Sequence, residues 1–279
     1  MITPLDEIDL HIDPFYAVGV LIHFIQEQFH KVGFKDAVLG VSGGVDSALG
    51  VALLVEALGA KHVTGLSMPA GESNPQSQAD AETVARTFGI RLEVRPIGDV
   101  VETFFAHDPN PGRLRIGNAA ARVRMMRLFD WSHAHHALVT GTSNKTELLL
   151  GYGTWYGDLA SSINPIGDLY KTQIRQLADF LGVPQRVIDK PPSADLWEGQ
   201  TDEDELGVTY DTVDRLLYLM VDRDYSMAAL KRAGFPESMI RRVYGMIVGS
   251  QFKRTLPVIP KLSAKTIGLD FHLSRDWLK

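Results

Sequence analysis

The sequence contains no cysteine. Disulfide bonds, thiolate metal sites, persulfide chemistry and a cysteine nucleophile are therefore all excluded for this chain. It also lacks a basic excess, because 28 lysine and arginine residues stand against 34 aspartate and glutamate residues, for a formal net charge of -6. Proteins that bind the nucleic-acid backbone usually show the opposite balance, so nucleic acid is not the expected partner. A small anionic ligand held by a local cluster of arginines remains compatible with this charge.

No apolar run is long enough to span a membrane, because the longest uncharged apolar stretch covers only 14–26 and a spanning helix needs about 18 residues. The charged residues nearest the N-terminus are acidic, namely Asp6, Glu7 and Asp9, whereas a secretory signal begins with basic residues. We therefore expect no membrane contact and a cytoplasmic location. The 279 residues are enough to bury a sizeable core, and we predict a single domain over 1–279.

Hydrophobic periodicity predicts strands that alternate with helices along the first part of the chain. The predicted strands cover 37–41, 63–68, 90–94 and 137–140. A loop is predicted at 69–78, and a helix follows it and ends near Gly89. The other predicted helices cover 14–32, 45–58, 98–106, 118–131 with Asn118 as N-cap, and the residues after Thr142. This alternation predicts an α/β fold, a doubly wound parallel sheet with helices on both faces. Beyond Lys171 the pattern is helical, apart from a polar interruption at 190–206. We therefore divide the domain into a core at about 34–190, this interruption, and helical C-terminal additions at 207–279.

A glycine-rich turn joins the first predicted strand to the next helix, with the sequence Gly40-Val41-Ser42-Gly43-Gly44-Val45-Asp46-Ser47. Adjacent glycines let the backbone turn tightly and bring its N–H groups close to a ligand, and the helix N-terminus adds partial positive charge. The Ser42 and Ser47 hydroxyls can donate to phosphate oxygens. Asp46 would repel a bare phosphate, so its expected role is to hold a Mg²⁺ ion that bridges phosphates.

A purely structural role is the alternative for this turn, with Ser42 as helix cap and Asp46 stabilising the helix dipole. The strand–turn–helix context favours a phosphate site. The turn is not a Walker A loop, because the lysine of that motif is missing. Its SGGVDS segment resembles the PP-loop of the ATP pyrophosphatase families, whose members adenylate a substrate and release pyrophosphate.

A second polar turn, from Gly141 to Glu147, follows the fourth predicted strand. Parallel sheets bind ligands at the carboxyl ends of their strands, so this turn is expected beside the phosphate loop, where Glu147 can reach the same metal as Asp46. The spacing Asn144-x-x-Glu147 also matches a capping box, in which Glu147 would only cap a helix. The local sequence leaves both roles open.

The segment 141–211 resembles NAD synthetase in several specific motifs. These are the GT-x-x-x-x-E turn, YGD, P-x-x-x-L-x-K, and P-[ST]-A-x-L-x-x-x-Q-x-D-E-x-E-L-G, and the resemblance extends over about 13–260. It implies an adenine nucleotide alpha hydrolase-like fold, a homodimer, and ATP-dependent amidation of deamido-NAD to NAD with ammonia. The implied intermediate is an acyl-adenylate, and AMP and pyrophosphate are the implied products.

The resemblance also implies roles for individual residues on the ATP side. ATP would contact the loop from Gly40 to Ser47, Thr142, Ser193 and Lys171, and Mg²⁺ would be held by Asp46 and Glu147. Asp158, in the YGD match, is the candidate for holding ammonium and accepting its proton; a loop-capping aspartate is the open alternative. The polar interruption 190–206 looks like a lid that excludes water from the activated intermediate.

On the dinucleotide side, residues 118–125 resemble the family's N-x-x-A-R-x-R-M helix. The resemblance implies that Asn118 and Arg122 belong to the deamido-NAD site, and a planar bidentate donor such as Arg122 suits a pyrophosphate. The alternative for Arg122 is a solvated basic helix face.

Three positions depart from the familiar bacterial pattern. Trp155 stands where many members have lysine, Ser162 where many have aspartate, and Phe252, before Lys253, where histidine is common. The family places these positions on the deamido-NAD side. Trp155 would stack on a ring instead of supplying charge, or it would pack in the core.

Two other functions stay open. One is adenylation of a different carboxylate, which the three departures motivate; the other is ATP sensing without turnover, against which the presence of both Asp46 and Glu147 speaks. A tRNA-modifying PP-loop enzyme is disfavoured, because the chain has neither a basic appendage nor a cysteine.

The nitrogen source is expected to be free ammonia. Glutamine-dependent members of the family carry an amidase domain with a cysteine nucleophile, whereas here the phosphate loop begins at residue 40 and cysteine is absent. Whether a separate glutaminase delivers the ammonia is left open by the sequence.

Overall fold

The computed structural model describes residues 4–71, 75–108, 110–191 and 207–273. The strands of this part are β1 (Asp36–Gly40), β2 (Val63–Ser67), β3 (Arg91–Val94) and β4 (Ala137–Val139). They form one parallel sheet in the order β3-β2-β1-β4. The chain builds outward from β1 to β3 and then crosses back to place β4 on the other side of β1. The strand order therefore reverses between β1 and β4, the position at which open α/β sheets bind ligands.

Helices cover both faces of this sheet. The described helices are α1 (Pro14–Val32), α2 (Val45–Leu58), α3 (Pro75–Phe88), α4 (Gly98–Phe104), α5 (Arg113–His135), α6 (Lys145–Leu150), α7 (Lys171–Phe180), α8 (Gln185–Ile188), α9 (Tyr210–Leu217), α10 (Met227–Arg232) and α11 (Glu237–Gly249). Ala37 and Leu39 of β1 pack in one core layer with α1, α2, α3 and α7, whereas Val38 packs in a second layer with α4 and α5. This alternation follows the two-residue period of a strand. The predicted doubly wound α/β fold is confirmed.

The ends of α1 follow the signals that predicted them. The Asp13 side chain accepts a hydrogen bond from the Tyr16 backbone N–H at 3.2 Å, and Pro14 is the first helical residue. Gly33 ends the helix with φ of 74°, a left-handed conformation that glycine adopts without a steric penalty.

Two predicted helix starts are wrong. α5 begins at Arg113, directly after Gly112, so Asn118 lies inside the helix and is not its N-cap. The four residues 113–116 are arginine, leucine, arginine and isoleucine, most of which favour helix, and they extend it by more than a turn. α3 begins at Pro75, inside the stretch 69–78 predicted as loop. Proline suits a first helical position because its missing N–H has no partner there in any case.

The C-terminal part packs α9, α10 and α11 around a core of their own, as the helical pattern after Lys171 predicted. Tyr210, Leu216 and Leu230 are buried in it, together with Leu150 of α6 and Tyr170 at the start of α7. Those last two residues join the C-terminal helices to the α/β part at the side where β4 ends. Among the described residues, no helix is long and apolar enough to cross a membrane.

Candidate active site

The glycine-rich turn connects Gly40, the last residue of β1, to Val45, the first residue of α2. Gly43 has φ of +77°, and a Cβ at this position would lie 2.9 Å from the Asp80 Cβ and clash with the Ser77 carbonyl oxygen. Only glycine accommodates both this backbone conformation and this close approach. Val41 and Val45 are buried at the two sides of the turn and fix it to the core.

Hydroxyl groups organise the inside of the same turn. The Ser47 hydroxyl donates to the Gly44 carbonyl oxygen at 2.9 Å, and its oxygen lies 3.2 Å from the Ser42 hydroxyl. The Ser42 hydroxyl in turn accepts from the Gly44 backbone N–H at 3.3 Å. The structure thus brings together the eight residues predicted for ATP binding between Gly40 and Ser47 in one strand–turn–helix unit. A helix N-terminus with donors at this spacing is a site for anions.

The second predicted turn lies beside the first, because β4 is the direct neighbour of β1. Thr142 follows β4 and approaches α2: a Cβ on Gly50 would lie 3.1 Å from the Thr142 methyl carbon. The turn leads into α6, which begins at Lys145 and carries Glu147 in its first turn. The two turns are therefore neighbours, as the sequence predicted, and both sit at the point where the strand order reverses.

Three charged side chains converge between these two turns. The Lys171 ammonium, on the first residue of α7, lies 2.5 Å from an Asp46 oxygen and 3.5 Å from a Glu147 oxygen. The Lys171 side chain is only 4% exposed, and those of Asp46 and Glu147 are each 17% exposed. The two carboxylates thus point to a common position, which a positive charge already occupies.

Asn144 completes this group, a role that its local sequence does not predict. Its side-chain amide donates to Asp46 at 2.8 Å, while its oxygen accepts from the Glu147 backbone N–H at 2.9 Å. The capping box that the sequence left as an alternative for Glu147 is present. Capping and metal binding do not compete, however, because one Glu147 oxygen faces the Asn144 backbone N–H and the other faces Lys171. Asn144 is fully buried, and this burial would have pointed to a role beyond capping. The local sequence does not reveal it.

Residues predicted for the dinucleotide side gather around the loop 151–158. Thr154 donates its hydroxyl hydrogen to Asn118 at 2.8 Å, and Arg122 donates to the Trp155 carbonyl oxygen at 3.3 Å. Lys253 donates to the carbonyl oxygens of Gly151 and Gly153, both at 2.7 Å. Two positions on α5 and one after α11 therefore contact the same loop.

An aromatic cluster covers one side of this loop. The Trp155 ring stacks on Tyr156 with centres 4.3 Å apart and meets Phe252 edge-on at 5.3 Å. Trp155 is partly buried, and Phe252 is 51% exposed. Two of the three departures from the family pattern are thus in direct contact. Ser162, the third, lies apart from them at the end of β4, where its backbone N–H donates to the Val139 carbonyl oxygen at 2.9 Å.

Asp158 has the geometry of a loop cap. Its carboxylate accepts a hydrogen bond from the Thr154 backbone N–H at 2.9 Å, and Lys253 provides a nearby positive charge. Desolvation raises the pKa of the Asp158 carboxyl despite the exposed surface of the residue, and the Thr154 hydrogen bond acts in the opposite direction. The Ser143 hydroxyl lies 3.5 Å from the Asp158 carbonyl oxygen, so this loop adjoins the turn that follows β4.

One predicted ATP contact and most of the predicted lid lie outside the described residues. Ser193 and the segment 192–206 belong to this part of the chain. Lys190, at its near edge, contacts the Asp80 carboxylate at 3.1 Å and the Ser77 hydroxyl at 3.0 Å. Asp80 and Ser77 also pack against Gly43, so the start of this segment adjoins the phosphate loop.

A parallel α/β sheet with a glycine-rich loop, two carboxylates and a lysine at its reversal point defines an ATP-handling enzyme of the PP-loop class. The family model described as NAD synthase matches residues 17–257. The chain therefore belongs to the NAD synthase family.

Individual relatives agree with this assignment. The NH(3)-dependent NAD(+) synthetase of Trichlorobacter lovleyi is 54% identical over 260 residues, which cover 93% of this chain and 95% of that one. The solved NH3-dependent NAD synthetase of Campylobacter jejuni is 34% identical and superposes with a TM-score of 0.77, covering 90% of this chain and 100% of that one. The solved NMN synthetase of Francisella tularensis is 32% identical with a TM-score of 0.80 at the same coverage.

Proposed function

We propose that this chain is an ammonia-dependent NAD synthetase, a ligase that uses ATP to convert the carboxylate of deamido-NAD into the amide of NAD. The single observation that carries this proposal is the convergence of Asp46, Glu147 and Lys171 beside the phosphate loop of a chain of this family. These are the groups that a reaction releasing pyrophosphate from ATP requires. The Arg122 and Trp155 side of the site then receives the dinucleotide.

ATP binds, in this proposal, with its phosphates against the loop from Gly40 to Ser47. Backbone N–H groups at the start of α2 and the Ser42 and Ser47 hydroxyls are the donors, and Thr142 contacts the nucleotide from the neighbouring turn. Ser193 contributes from the segment outside the described residues. The two turns are held next to each other because they begin at the carboxyl ends of β1 and β4, which are paired strands.

Asp46 and Glu147 fit a Mg²⁺ ion. Both side chains offer carboxylate oxygens, the ligand type that magnesium prefers, and both already approach one cationic group, the Lys171 ammonium. When bound, Mg²⁺ would neutralise phosphate charge and favour the departure of pyrophosphate. Lys171 then releases its contact with the carboxylates and donates to the phosphates instead.

The chemistry begins when the carboxylate of deamido-NAD attacks the α-phosphorus of ATP. The bond between the α-phosphorus and the bridging oxygen to the β-phosphorus breaks, pyrophosphate leaves, and an acyl-adenylate forms. Lys171 and the loop N–H groups stabilise the negative charge that develops on the departing phosphates. Ammonia then attacks the acyl carbon, AMP leaves with the electrons of the acyl–oxygen bond, and the nitrogen releases one proton to solvent to give the neutral amide.

Deamido-NAD binds along the loop 151–158. Arg122 supplies positive charge for the dinucleotide pyrophosphate, and Asn118 and Lys253 hold the loop through the contacts described above. Trp155 and Phe252 offer ring faces for stacking where many members offer lysine and histidine. Ser162, at the end of β4, is the remaining contact on this side.

Asp158 is the proposed acceptor of the ammonium proton. Its raised pKa brings the carboxyl closer to the range in which it exchanges protons, and the loop that holds it adjoins the turn carrying Asn144 and Glu147. The Thr154 backbone N–H donates to one oxygen of this carboxylate and thereby orients it.

A homodimer is part of the proposal. Apolar side chains on α5 and α11 support it, since Met126, Tyr244 and Val248 are each more than half exposed. The dependence on ATP favours a cytoplasmic location. A separate glutaminase that supplies ammonia remains compatible with the proposal but is not required by it.

A mononucleotide acid is the second candidate substrate. The structural similarity to an NMN synthetase and the aromatic Trp155–Phe252 contact in place of charged groups both favour testing it. The reaction would be the same amidation, with the adenylate half of the dinucleotide missing.

The test is incubation of the purified chain with ATP, Mg²⁺ and ammonium, with deamido-NAD in one series and nicotinic acid mononucleotide in the other. Mass spectrometry of the products and pyrophosphate release are followed together. We expect NAD, AMP and pyrophosphate in equal amounts from the first series. If the mononucleotide is amidated faster than deamido-NAD, the mononucleotide is the better candidate for the substrate. If neither compound is amidated, the proposed function is wrong. An Asp46→Asn variant controls for contaminating activity.

A further inference from the structure

Asp214 of α9 is a buried carboxylate that contacts the two helices carrying the charged groups of the active site. One of its oxygens accepts from the Thr146 hydroxyl of α6 at 2.6 Å, and the other accepts from the Thr172 backbone N–H of α7 at 2.8 Å. The residue has no solvent exposure. A single carboxylate thus bridges α6 and α7 from the C-terminal helices.

The bridge ends next to the active-site residues themselves. Thr146 precedes Glu147, and Thr172 follows Lys171. The Thr146 hydroxyl also accepts from the Lys171 backbone N–H at 3.1 Å. Asp214 is therefore hydrogen-bonded to the residues that directly adjoin Glu147 and Lys171.

Tyr210 adds a second contact from the same helix. It lies four residues before Asp214, so both side chains project from one face of α9. The Lys171 ammonium lies 5.3 Å from the centre of the Tyr210 ring, within the range of a cation–π interaction. One face of α9 thus contacts the backbone of Thr172, the residue after Lys171, and also the charged end of Lys171.

We propose that Asp214 is a positioning residue, which sets the Lys171 ammonium and the Glu147 carboxylate at the separation that Mg²⁺ and ATP require. This inference rests on the roles proposed above for Lys171 and Glu147. Asp214 acts through Thr146 and Thr172, and its two oxygens are both engaged in those contacts.

The electrostatics of Asp214 support this role. Burial raises the pKa of its carboxyl to about 6, although the hydrogen bonds from Thr146 and Thr172 and the nearby Lys171 charge act in the opposite direction. Burial disfavours the charged form of this carboxyl, and the residue lies next to the helices that carry Glu147 and Lys171. A perturbed carboxyl in such a place is typical of functional sites.

Three variants test the proposal, and pyrophosphate release with saturating substrates gives kcat. Thr146→Val keeps the shape of the side chain but removes the hydroxyl, whereas Thr146→Ser keeps the hydroxyl. Asp214→Asn replaces one of the two acceptor oxygens by an N–H group, which then faces either the Thr146 hydroxyl or the Thr172 N–H. We expect kcat to fall about ten- to a hundredfold in Thr146→Val and Asp214→Asn, with activity retained in Thr146→Ser. The double variant Thr146→Val with Asp214→Asn should lose no more than the worse single variant, because both changes break the same bridge.

Val213→Ala is the matched control, since Val213 is equally buried on α9 but packs only into the apolar core. We expect it to lower the melting temperature while sparing kcat well below that temperature. If Asp214→Asn also retains wild-type kcat there, or if Thr146→Ser fails as badly as Thr146→Val, the positioning role is wrong. An inactive wild-type protein would instead reject the proposed function, so the two failures are distinguishable.

Discussion

The Lys171 ammonium lies 2.5 Å from the Asp46 carboxylate, although 125 positions separate the two residues in the chain. One starts α7, and the other lies in the first turn of α2 behind the phosphate loop. Their contact keeps a positive charge at the place where we propose that Mg²⁺ and ATP phosphates bind. In the proposed mechanism Asp46 pairs with Lys171 in the free protein and with Mg²⁺ in the loaded one.

Asp46→Asn should lower turnover by about 100-fold or more, because the variant loses an anionic Mg²⁺ ligand and the partner of Lys171. Pyrophosphate release measured over a range of Mg²⁺ concentrations is the test. Asp99→Asn, a change in the first turn of α4, controls for the loss of a carboxylate at a helix start elsewhere. Wild-type activity of Asp46→Asn at low Mg²⁺ would remove Asp46 from the metal site.

Glu147→Gln separates the two functions of Glu147. Glutamine supports a capping box as glutamate does, so the cap should be kept, and the free energy of unfolding should fall only by what the lost charge beside the buried Lys171 ammonium contributed. The negative charge facing Lys171 is lost, and turnover should fall steeply. Chemical denaturation and steady-state kinetics on the same preparation give both numbers. Unchanged turnover would leave Glu147 as a helix cap alone.

Arg122→Ala should raise the KM for deamido-NAD about tenfold or more while leaving the KM for ATP near its wild-type value. The reason is that Arg122 contacts the loop 151–158, where we propose that the dinucleotide binds. Arg127→Ala is the control, because Arg127 is exposed on the same helix. Equal losses for both substrates would contradict the assignment of Arg122 to the dinucleotide.

Asp214 should make the stability of the protein fall as pH rises from about 4 to about 6. Its pKa is about 6 in the folded state and 3.8 without burial, so in this window the folded state binds more protons than the unfolded state. Protonation therefore stabilises the fold, and that contribution, roughly 3 kcal/mol at most, is lost as the carboxyl ionises. Asp214→Asn cannot titrate and should show a flatter profile in urea denaturation across this window. Parallel profiles for the two proteins would contradict the raised pKa.

The fold could be predicted because its determinants are local. A short apolar run identifies β1, alternating apolar residues identify β3, and Asp13, Pro14 and Gly33 mark the ends of α1. The conformation of the glycine-rich turn was also predictable, because glycine at Gly43 and the strand–turn–helix context are properties of adjacent residues. The start of α5 was not, because its first turn lacks an N-capping side chain and Gly112 occupies that position.

The contacts that join distant segments could not be predicted from local pattern. The local sequence around Asn144 predicts only a helix cap. The fold brings its side-chain amide to Asp46, which is 98 positions away in the chain. Asp214 lies in an amphipathic stretch where an aspartate is usually solvated, and its burial against α6 and α7 depends on the packing of the C-terminal helices. Long-range polar contacts of this kind leave no periodic signal in the sequence.

The nitrogen source is open to a direct test. This chain contains no cysteine, so it cannot form the thioester by which a cysteine amidase releases ammonia from glutamine. We expect ammonium salts to support NAD formation and glutamine alone to fail. Product formation from glutamine that is free of ammonia, with the purified chain alone, would refute this claim. Addition of a separate glutaminase should restore activity and serves as the positive control.

The pH dependence identifies the attacking species. Only neutral ammonia has the lone pair that attacks the acyl-adenylate, yet ammonium dominates near neutral pH. At fixed, subsaturating total ammonium, NAD formation should therefore rise above pH 7 in proportion to the neutral fraction, until the protein unfolds.

A site that binds ammonium and removes its proton would lessen this dependence, and Asp158 is the candidate because desolvation raises its pKa. Asp158→Asn should then steepen the pH profile and raise the KM for total ammonium, while the KM for ATP stays unchanged. An Asp158→Asn protein with the wild-type ammonium dependence would limit Asp158 to capping the loop through Thr154.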